Sequence, residues 1–295
     1  MAKIGFVGLG HMGLPMAINL VKAGHNVTGY DLQQSALEQF SNAGGLITHH
    51  LQEIANQEVI ITMLQTGEQV KHVCLGVDGL FAKANETTLF IDCSSIDVKT
   101  SRELHQLAQE SHLLYVDAPV SGGVAGASAA TLTFMVGGEN EAYNTAHPIL
   151  SFMGQKIIHT GHAGSGQAAK ICNNMILGIS MVAVSEAFTL AEQLGLSADK
   201  LFEVVNNSSG QCWAISKYVP VPGILASVPA NNDYKPGFAA AMMLKDLLLS
   251  QNSAKSVHIE TPLGAKTTEL YQHFIDQGLG DLDFSAIIKM IAKEV

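Results

Sequence analysis

Charge is scarce in this chain. Asp, Glu, Lys and Arg make up only 14% of its 295 residues, and 26 acidic residues outnumber 16 basic ones. The formal net charge is −10, and no Lys/Arg cluster occurs anywhere. Nucleic acid and anionic membrane surfaces both need a basic footprint, so neither is expected as a partner. Cysteine is scarce too. Cys74, Cys93, Cys172 and Cys212 are scattered, with no Cys-x-x-Cys pair. They read as reduced packing residues of a cytoplasmic protein. Long hydrophobic runs are also missing: the most apolar stretch, Met175 to Val184, is shorter than a bilayer crossing and is flanked by Asn173-Asn174 and Glu186. No targeting segment is expected, because the residues from Lys3 to Gly8 already read as a strand. The twelve histidines form no ligand set, since His159-x-x-His162 lacks a Cys or carboxylate partner and His49-His50 reads as loop. No metal is expected.

Apolar residues, by contrast, make up 47% of the chain, enough to bury a sizeable core in one large or two ordinary domains. Short apolar runs at Ile4–Val7, Val27–Tyr30, Val59–Met63, Leu89–Asp92, Leu113–Val116 and Leu132–Val136 read as strands. Helical periodicity between them covers Met12–Ala23, Gln33–Ala43, Val98–Gln109 and Asn140–Met153, and Lys156–His159 reads as a last short strand. Strand–helix alternation of this kind predicts a mainly parallel sheet covered on both faces. From about Gly164 the strand signal disappears. A single helix is predicted over Gln167–Leu194, ended by Gly195, with further helices at Ser197–Asn206, Gly237–Ala254 and Pro262–Gln277. Val219–Pro236 carries four of the eight prolines and reads as a long surface loop. The predicted organisation is an α/β domain over 1–163 and an all-helical domain over 164–295.

Gly8-Leu9-Gly10-His11-Met12-Gly13 follows the first strand and opens the first helix. In a dinucleotide site the first glycine makes the tight turn, the second admits a pyrophosphate to the backbone, and the third lets helix and strand pack closely. The second strand ends in Asp31, near the spacing at which a carboxylate accepts the ribose hydroxyls. A carboxylate there repels a 2′-phosphate, and Leu32-Gln33-Gln34 offers no Arg to hold one, so NAD is favoured over NADP. Asp31 also suits a plain helix cap, and the two roles are compatible. The segments Met63-Leu64-Gln65-Thr66 and Asp92-Cys93-Ser94-Ser95 end strands at the same crevice. Leu64, Gln65 and Ser95 are the cofactor contacts expected from them, although turn chemistry alone also accounts for both. The reading is a Rossmann-type, doubly wound sheet followed by an all-helical C-terminal domain.

Lys170 is the only charged residue between Ala163 and Ser185. A lysine in small, apolar surroundings loses hydration, which lowers its pKa and suits it to general acid–base work. Asn174 follows four residues on, hence on the same face. Asp117-Ala118-Pro119-Val120-Ser121-Gly122-Gly123 ends a strand, and Ser121 with the two glycines suits a carboxylate cradle or an ordinary glycine turn. Lys245-Asp246 is an isolated charge pair in an apolar helix. Either Lys245 points into a cleft while Asp246 holds another group, or the two serve buried structural pairs. Trp213 and Tyr218 either wall a small pocket or pack.

These motifs occur together and in order: G-L-G-H-M-G, D-A-P-V-S-G-G, G-S-G-Q-A-A-K-I-C-N-N and L-K-D-L. Over essentially the whole chain the sequence resembles the β-hydroxyacid dehydrogenase family. Gly210-Gln211-Cys212-Trp213, Tyr218 and Pro222-Gly223 are similar to its 3-hydroxyisobutyrate dehydrogenase branch, which acts in valine breakdown. The resemblance implies Lys170 as the catalytic residue. It places Ser121, Gly122, Gly123, Asn174, Lys245, Asp246, Trp213 and Tyr218 at a small hydroxy acid, and Lys245 also at the nicotinamide cofactor. It further implies a homodimer or homotetramer built through the helical domain. Ser95 stands where the family often has Thr, Gln211 where a basic residue is frequent, and Val219 where Asn is common. Two rival readings are an NADPH-dependent reductase of tartronate or succinic semialdehyde, and a non-catalytic NAD-binding sensor.

Overall fold

A computed structural model describes residues 1–294. The chain divides into two units, Met1–Lys170 and Ile171–Val295. The first contains strands β1 (Lys3–Val7), β2 (Asn26–Tyr30), β3 (Leu46–Ile47), β4 (Val59–Thr62), β5 (Leu89–Asp92), β6 (Leu114–Asp117), β7 (Val120–Ser121), β8 (Leu132–Gly137) and β9 (Gly154–Gly161). Helices α1 (Gly13–Lys22), α2 (Gln34–Asn42), α3 (Gly67–Leu75), α4 (Val98–Glu110), α5 (Gly123–Ser128) and α6 (Asn140–Leu150) connect them.

The sheet order is β3-β2-β1-β4-β5-β6-β8-β7, with β9 on β8. Pairing from β3 through β6 is parallel, as is β8 with β9, whereas β8 runs antiparallel to β6 and β7. Every residue of β4 and β5 is buried, as expected for strands covered on both faces. Because successive side chains alternate, Phe6, Ile61 and Ile91 join one apolar cluster with Met16, Leu20 and Phe40. Their neighbours Val7, Ile60 and Phe90 join another on the opposite face, with Val70, Leu80 and Leu104. The strand register aligns Val7, Thr62, Asp92 and Asp117 along the carboxyl edge, so the loops after β1, β4, β5 and β6 all leave from one rim. The sheet order reverses at β1, and that is where ligands of such sheets bind.

Helix α7 (Ser165–Gln193) starts in the first unit and continues into the second. At 29 residues, with a best-window mean hydropathy of 1.5, it is long and apolar enough to cross a membrane; the ten-residue apolar stretch understated its length. It also buries Gln167, Lys170, Asn174 and Ser185, the pattern of a helix packed against protein. The second unit adds α8 (Ala198–Asn206), α9 (Trp213–Ser216), α10 (Ala240–Ser256), α11 (Pro262–Phe274) and α12 (Ile287–Ile291) around Met181, Phe188, Met243, Tyr271, Phe274 and Phe284. The proline-rich segment 219–236 is irregular and partly exposed, as expected of a surface loop, apart from a short helical turn at Pro229–Asn232. But it is anchored: Val219, Val228, Ala230 and Tyr234 are buried in this core, and the Tyr234 hydroxyl donates to the Pro220 carbonyl at 2.8 Å. Proline removes backbone donors and so breaks regular structure, but it does not keep the neighbouring Val and Tyr in water.

Candidate active site

The glycine turn leaves β1 with Gly8 at φ +96°, where only glycine is unstrained. A Cβ on Gly8 would strike the Met63 carbonyl oxygen, and one on Gly13 would strike the Gly8 carbonyl oxygen. A Cβ on Gly10 would meet nothing within 4 Å. The turn is therefore locked at its first and third glycines and open at its second, the pattern a pyrophosphate site requires. Asp31 secures it, accepting the Leu9 N–H at 2.6 Å and the Gln33 N–H at 2.8 Å. One carboxylate thus ties the turn to Gln33, the residue that precedes α2. Leu9 itself points into the core, His11 is exposed and Met12 half-buried, so any cofactor contact from Leu9 is through its backbone.

The neighbouring loops are cross-linked. Leu64 donates its N–H to the Ser94 hydroxyl at 2.9 Å, which leaves the half-buried Ser95 as the outward hydroxyl of that pair. Gln65 and Thr66 both donate backbone N–H groups to the Gln69 side chain, and Gln69 returns its N–H to the Thr66 hydroxyl. This capping box starts α3. The Thr-x-x-Gln spacing that encodes it is a local signal for a helix absent from the expected elements. Beneath the rim Asp92 is buried, accepting from Thr62 and from the Ser94 N–H through one oxygen, while its other oxygen has no partner. Burial raises its pKa to about 6, against the Ser94 and Thr62 hydrogen bonds that lower it.

The segment after β6 does two things. Past Pro119 it pairs with β8 as β7, then turns through Gly122 (φ +133°) and Gly123 (φ +62°) into α5, with Ser121 partly exposed. Before it, Asp117 turns inward. Its Oδ1 accepts from His105 Nε2 at 2.7 Å and from the Gly164 N–H at 2.9 Å, and its Oδ2 accepts from the Gln167 N–H at 2.9 Å. Asp117 thus holds the first turn of α7. Lys170 follows one turn later and is buried, 8% exposed. Among the residues expected at the site, the first unit therefore gathers the glycine turn, Asp31, Leu64, Gln65, Ser95, Ser121, Gly122, Gly123 and Lys170 on loops of one sheet edge and the helix held to it.

Within the second unit the buried Asn174 amide donates to Asp246 Oδ2 at 2.5 Å, and Asn173 donates to Asn174 Oδ1 at 2.9 Å. Of the two readings of Lys245-Asp246, Asp246 holding another group is the one its contacts match, and that group is Asn174. Lys245 is half-buried. Trp213, half-exposed, stacks on Tyr218 at 5.0 Å, and Tyr218 stacks in turn on Phe284. The Tyr218 hydroxyl donates to Asp283 at 2.9 Å, so it is tied into the helical core; burial and that carboxylate push its pKa up. Among the described residues no group of three or more His, Cys, Asp or Glu suited to a metal occurs.

A doubly wound sheet with a glycine turn and an acidic second-strand terminus at its switch point defines a dinucleotide-binding protein. Residues 3–161 match the family of the NAD-binding domain of 6-phosphogluconate dehydrogenase, and residues 164–291 that of the NAD-binding region of NADP-dependent 3-hydroxyisobutyrate dehydrogenase. The chain belongs to the β-hydroxyacid dehydrogenase family and, within it, is similar to the 3-hydroxyisobutyrate dehydrogenases. It is 48% identical to a probable 3-hydroxyisobutyrate dehydrogenase of Mycobacterium tuberculosis, over 98% of this chain and 97% of that protein. It is 43% identical to an NAD-dependent L-serine dehydrogenase of Pseudomonas aeruginosa, over 98% of each. The solved structure of the M. tuberculosis 3-hydroxyisobutyrate dehydrogenase with L-serine superimposes with a TM-score of 0.94, covering 99% of both chains. The protein is an NAD-dependent hydroxyacid dehydrogenase.

Proposed function

We propose that this enzyme oxidises 3-hydroxyisobutyrate to its semialdehyde with NAD, the step that belongs to valine breakdown, and that Lys170 is the general base. The observation that carries the reading is a buried lysine on the helix held to the carboxyl edge of the dinucleotide sheet. Gly8, Gly10 and Gly13 would receive the pyrophosphate, Asp31 the adenosine ribose, and Leu64, Gln65 and Ser95 the nicotinamide half, to which the family resemblance also assigns Lys245. One family description says NADP, but the Asp31 carboxylate would face a 2′-phosphate, and residues 32–34 supply no cation. NAD is the better fit.

When bound, the oxidised nicotinamide accepts a hydride from the carbinol carbon. The chain's own residues do the rest. Ser121 and the backbone at Gly122 and Gly123 hold the substrate carboxylate, fixing the distance from it to the hydroxymethyl group. Lys170 takes the hydroxyl proton as the alcohol becomes a carbonyl. The family resemblance also assigns the substrate to Asn174, which is held by Asp246, and to Trp213, which stacks on Tyr218.

L-serine is the second reading, supported by the L-serine dehydrogenase among the relatives. It shares the hydroxymethyl carbon next to a carboxylate-bearing centre and replaces a methyl by an ammonium. Following NADH and NADPH formation against both enantiomers of 3-hydroxyisobutyrate and of serine separates the two. Equal or better turnover of L-serine would displace 3-hydroxyisobutyrate. A reductase of tartronate or succinic semialdehyde would instead favour NADPH. Lys170→Ala should lower kcat by about 10²–10⁴-fold with NAD affinity unchanged, and full activity in that variant would remove the base from this scheme.

We further propose a cytoplasmic homodimer or homotetramer assembled through the helical unit, where Ile176, Leu190, Leu194 and Val204 are exposed. Light scattering on the purified enzyme tests it, and a monomer at micromolar concentration would count against it.

A further inference from the structure

We propose that Asp117 is a positioning residue for the reaction, setting where Lys170 stands by capping the helix that carries it; this rests on Lys170 being the base. Asp117 is fully buried, and both its oxygens act only as acceptors, toward His105 Nε2, the Gly164 N–H and the Gln167 N–H. Two of those donors are backbone groups at the start of α7, which a helix cannot satisfy internally. The fit is close. A Cβ on Gly166 would crowd the Asp117 carboxylate and carbonyl oxygens and the Met135 carbonyl, and one on Gly137 would crowd the same carboxylate.

A second tie fixes the rotation of that turn. The buried Gln167 side chain accepts the Ile96 N–H at 3.1 Å and donates to the Ser94 carbonyl at 2.7 Å. It thereby spans the backbone on both sides of Ser95, a residue assigned above to the nicotinamide half. Lys170 lies three residues beyond Gln167, so its placement is inherited from these contacts. Asp117 itself stands four residues before Ser121, so one short segment locates both the proposed base and the proposed carboxylate cradle. The frame is built from α4, β5, β6 and the first turn of α7, all within the first unit.

An asparagine cannot replace Asp117 in this frame. Its amide nitrogen would face the Gly164 N–H in one orientation and the Gln167 N–H in the other, so one tether is lost either way. A base displaced by about 1 Å costs on the order of 10²-fold in rate. Asp117→Asn should therefore lower kcat, counted per titrated NAD site, by about 10–100-fold while the NAD Kd stays at the wild-type value. The primary deuterium isotope effect on kcat, measured with 3-hydroxyisobutyrate and L-serine labelled at the carbinol carbon, should rise as proton removal and hydride transfer become limiting. Added to Lys170→Ala, the substitution should cost nothing more, because it acts through that amine. Gln167→Met carries the same test if Asp117→Asn does not reach the folded state.

Unchanged kcat, an unchanged isotope effect, or losses that multiply with Lys170→Ala would each overturn the assignment of Asp117. Full activity in Lys170→Ala itself would instead overturn the base, and the two failures are distinguishable.

Discussion

Asp31 joins the glycine turn to the second strand through Leu9, whose N–H it accepts at 2.6 Å. The carboxylate proposed to read the ribose is thus also part of the turn that reads the phosphates. Asp31→Ala should then weaken NAD binding by more than the loss of one ribose contact, by at least 10-fold, and should not restore NADP. Asp31→Ser with Leu32→Arg adds a partner for the 2′-phosphate, and Leu32 is exposed where that side chain is wanted. The pair should shift the NADP:NAD ratio of kcat/KM upward by at least 10-fold, and an unmoved ratio would mean that the ribose is read elsewhere.

The two outer glycines of the turn and the middle one should respond in opposite ways. Gly10→Ala adds a methyl to open space, so the melting temperature should stay within about 1 °C while NAD affinity drops. Gly13→Ala drives a Cβ into the Gly8 carbonyl and should destabilise the fold first, by about 1–3 kcal/mol. Thermal melts beside NAD titrations check both. A Gly10→Ala enzyme that binds NAD normally would show that the pyrophosphate does not approach there.

Much of this was legible in the chain because it is local. Apolar runs such as Leu89–Asp92 announce strands buried on both faces, and the interval from Gly8 to Asp31 carries the cofactor geometry. Apart from α3, what escaped was long-range or very short. Asp117 meets Gly164 and Gln167 47 and 50 residues away, and no periodicity encodes that pairing. The two-residue strands β3 and β7 offer too few side chains to show alternation. In the segment 219–236 the prolines report only on backbone regularity, whereas the anchoring of the loop is decided by Val219, Val228 and Tyr234.

Asn174 and Asp246 make a buried amide–carboxylate pair, 2% and 4% exposed. Asn174→Asp sets two carboxylates against each other without water, so at neutral pH the variant should lose about 3 kcal/mol of stability. As pH falls the pair takes up a shared proton and the deficit should shrink. Urea denaturation between pH 5 and pH 8 measures it. A deficit that does not vary with pH would indicate lost packing rather than charge repulsion.

Asp92 makes the opposite kind of prediction, about the native protein. Its folded pKa, about 6, lies above the 3.8 of an unfolded aspartate, chiefly because burial disfavours the charge. Between those values the folded state holds this proton more readily than the unfolded chain does. The contribution of Asp92 to stability must therefore decline as pH rises from about 4 to about 6 and then level off, by about 3 kcal/mol in all at 1.36 kcal/mol per unit. Asp92→Asn cannot ionise, and its Oδ1 can still accept from Thr62 and Ser94, while its amide takes the place of the unpartnered oxygen. The unmet amide N–H lowers stability equally at every pH, so the slope is the readout rather than the absolute value. Wild-type stability minus that of Asp92→Asn, from urea midpoints at half-unit intervals, should fall across this window and stay flat above it. A flat difference throughout would mean that this carboxyl ionises in the folded protein as it does in water, and that the rim of the sheet carries an ordinary charge at every pH the enzyme meets.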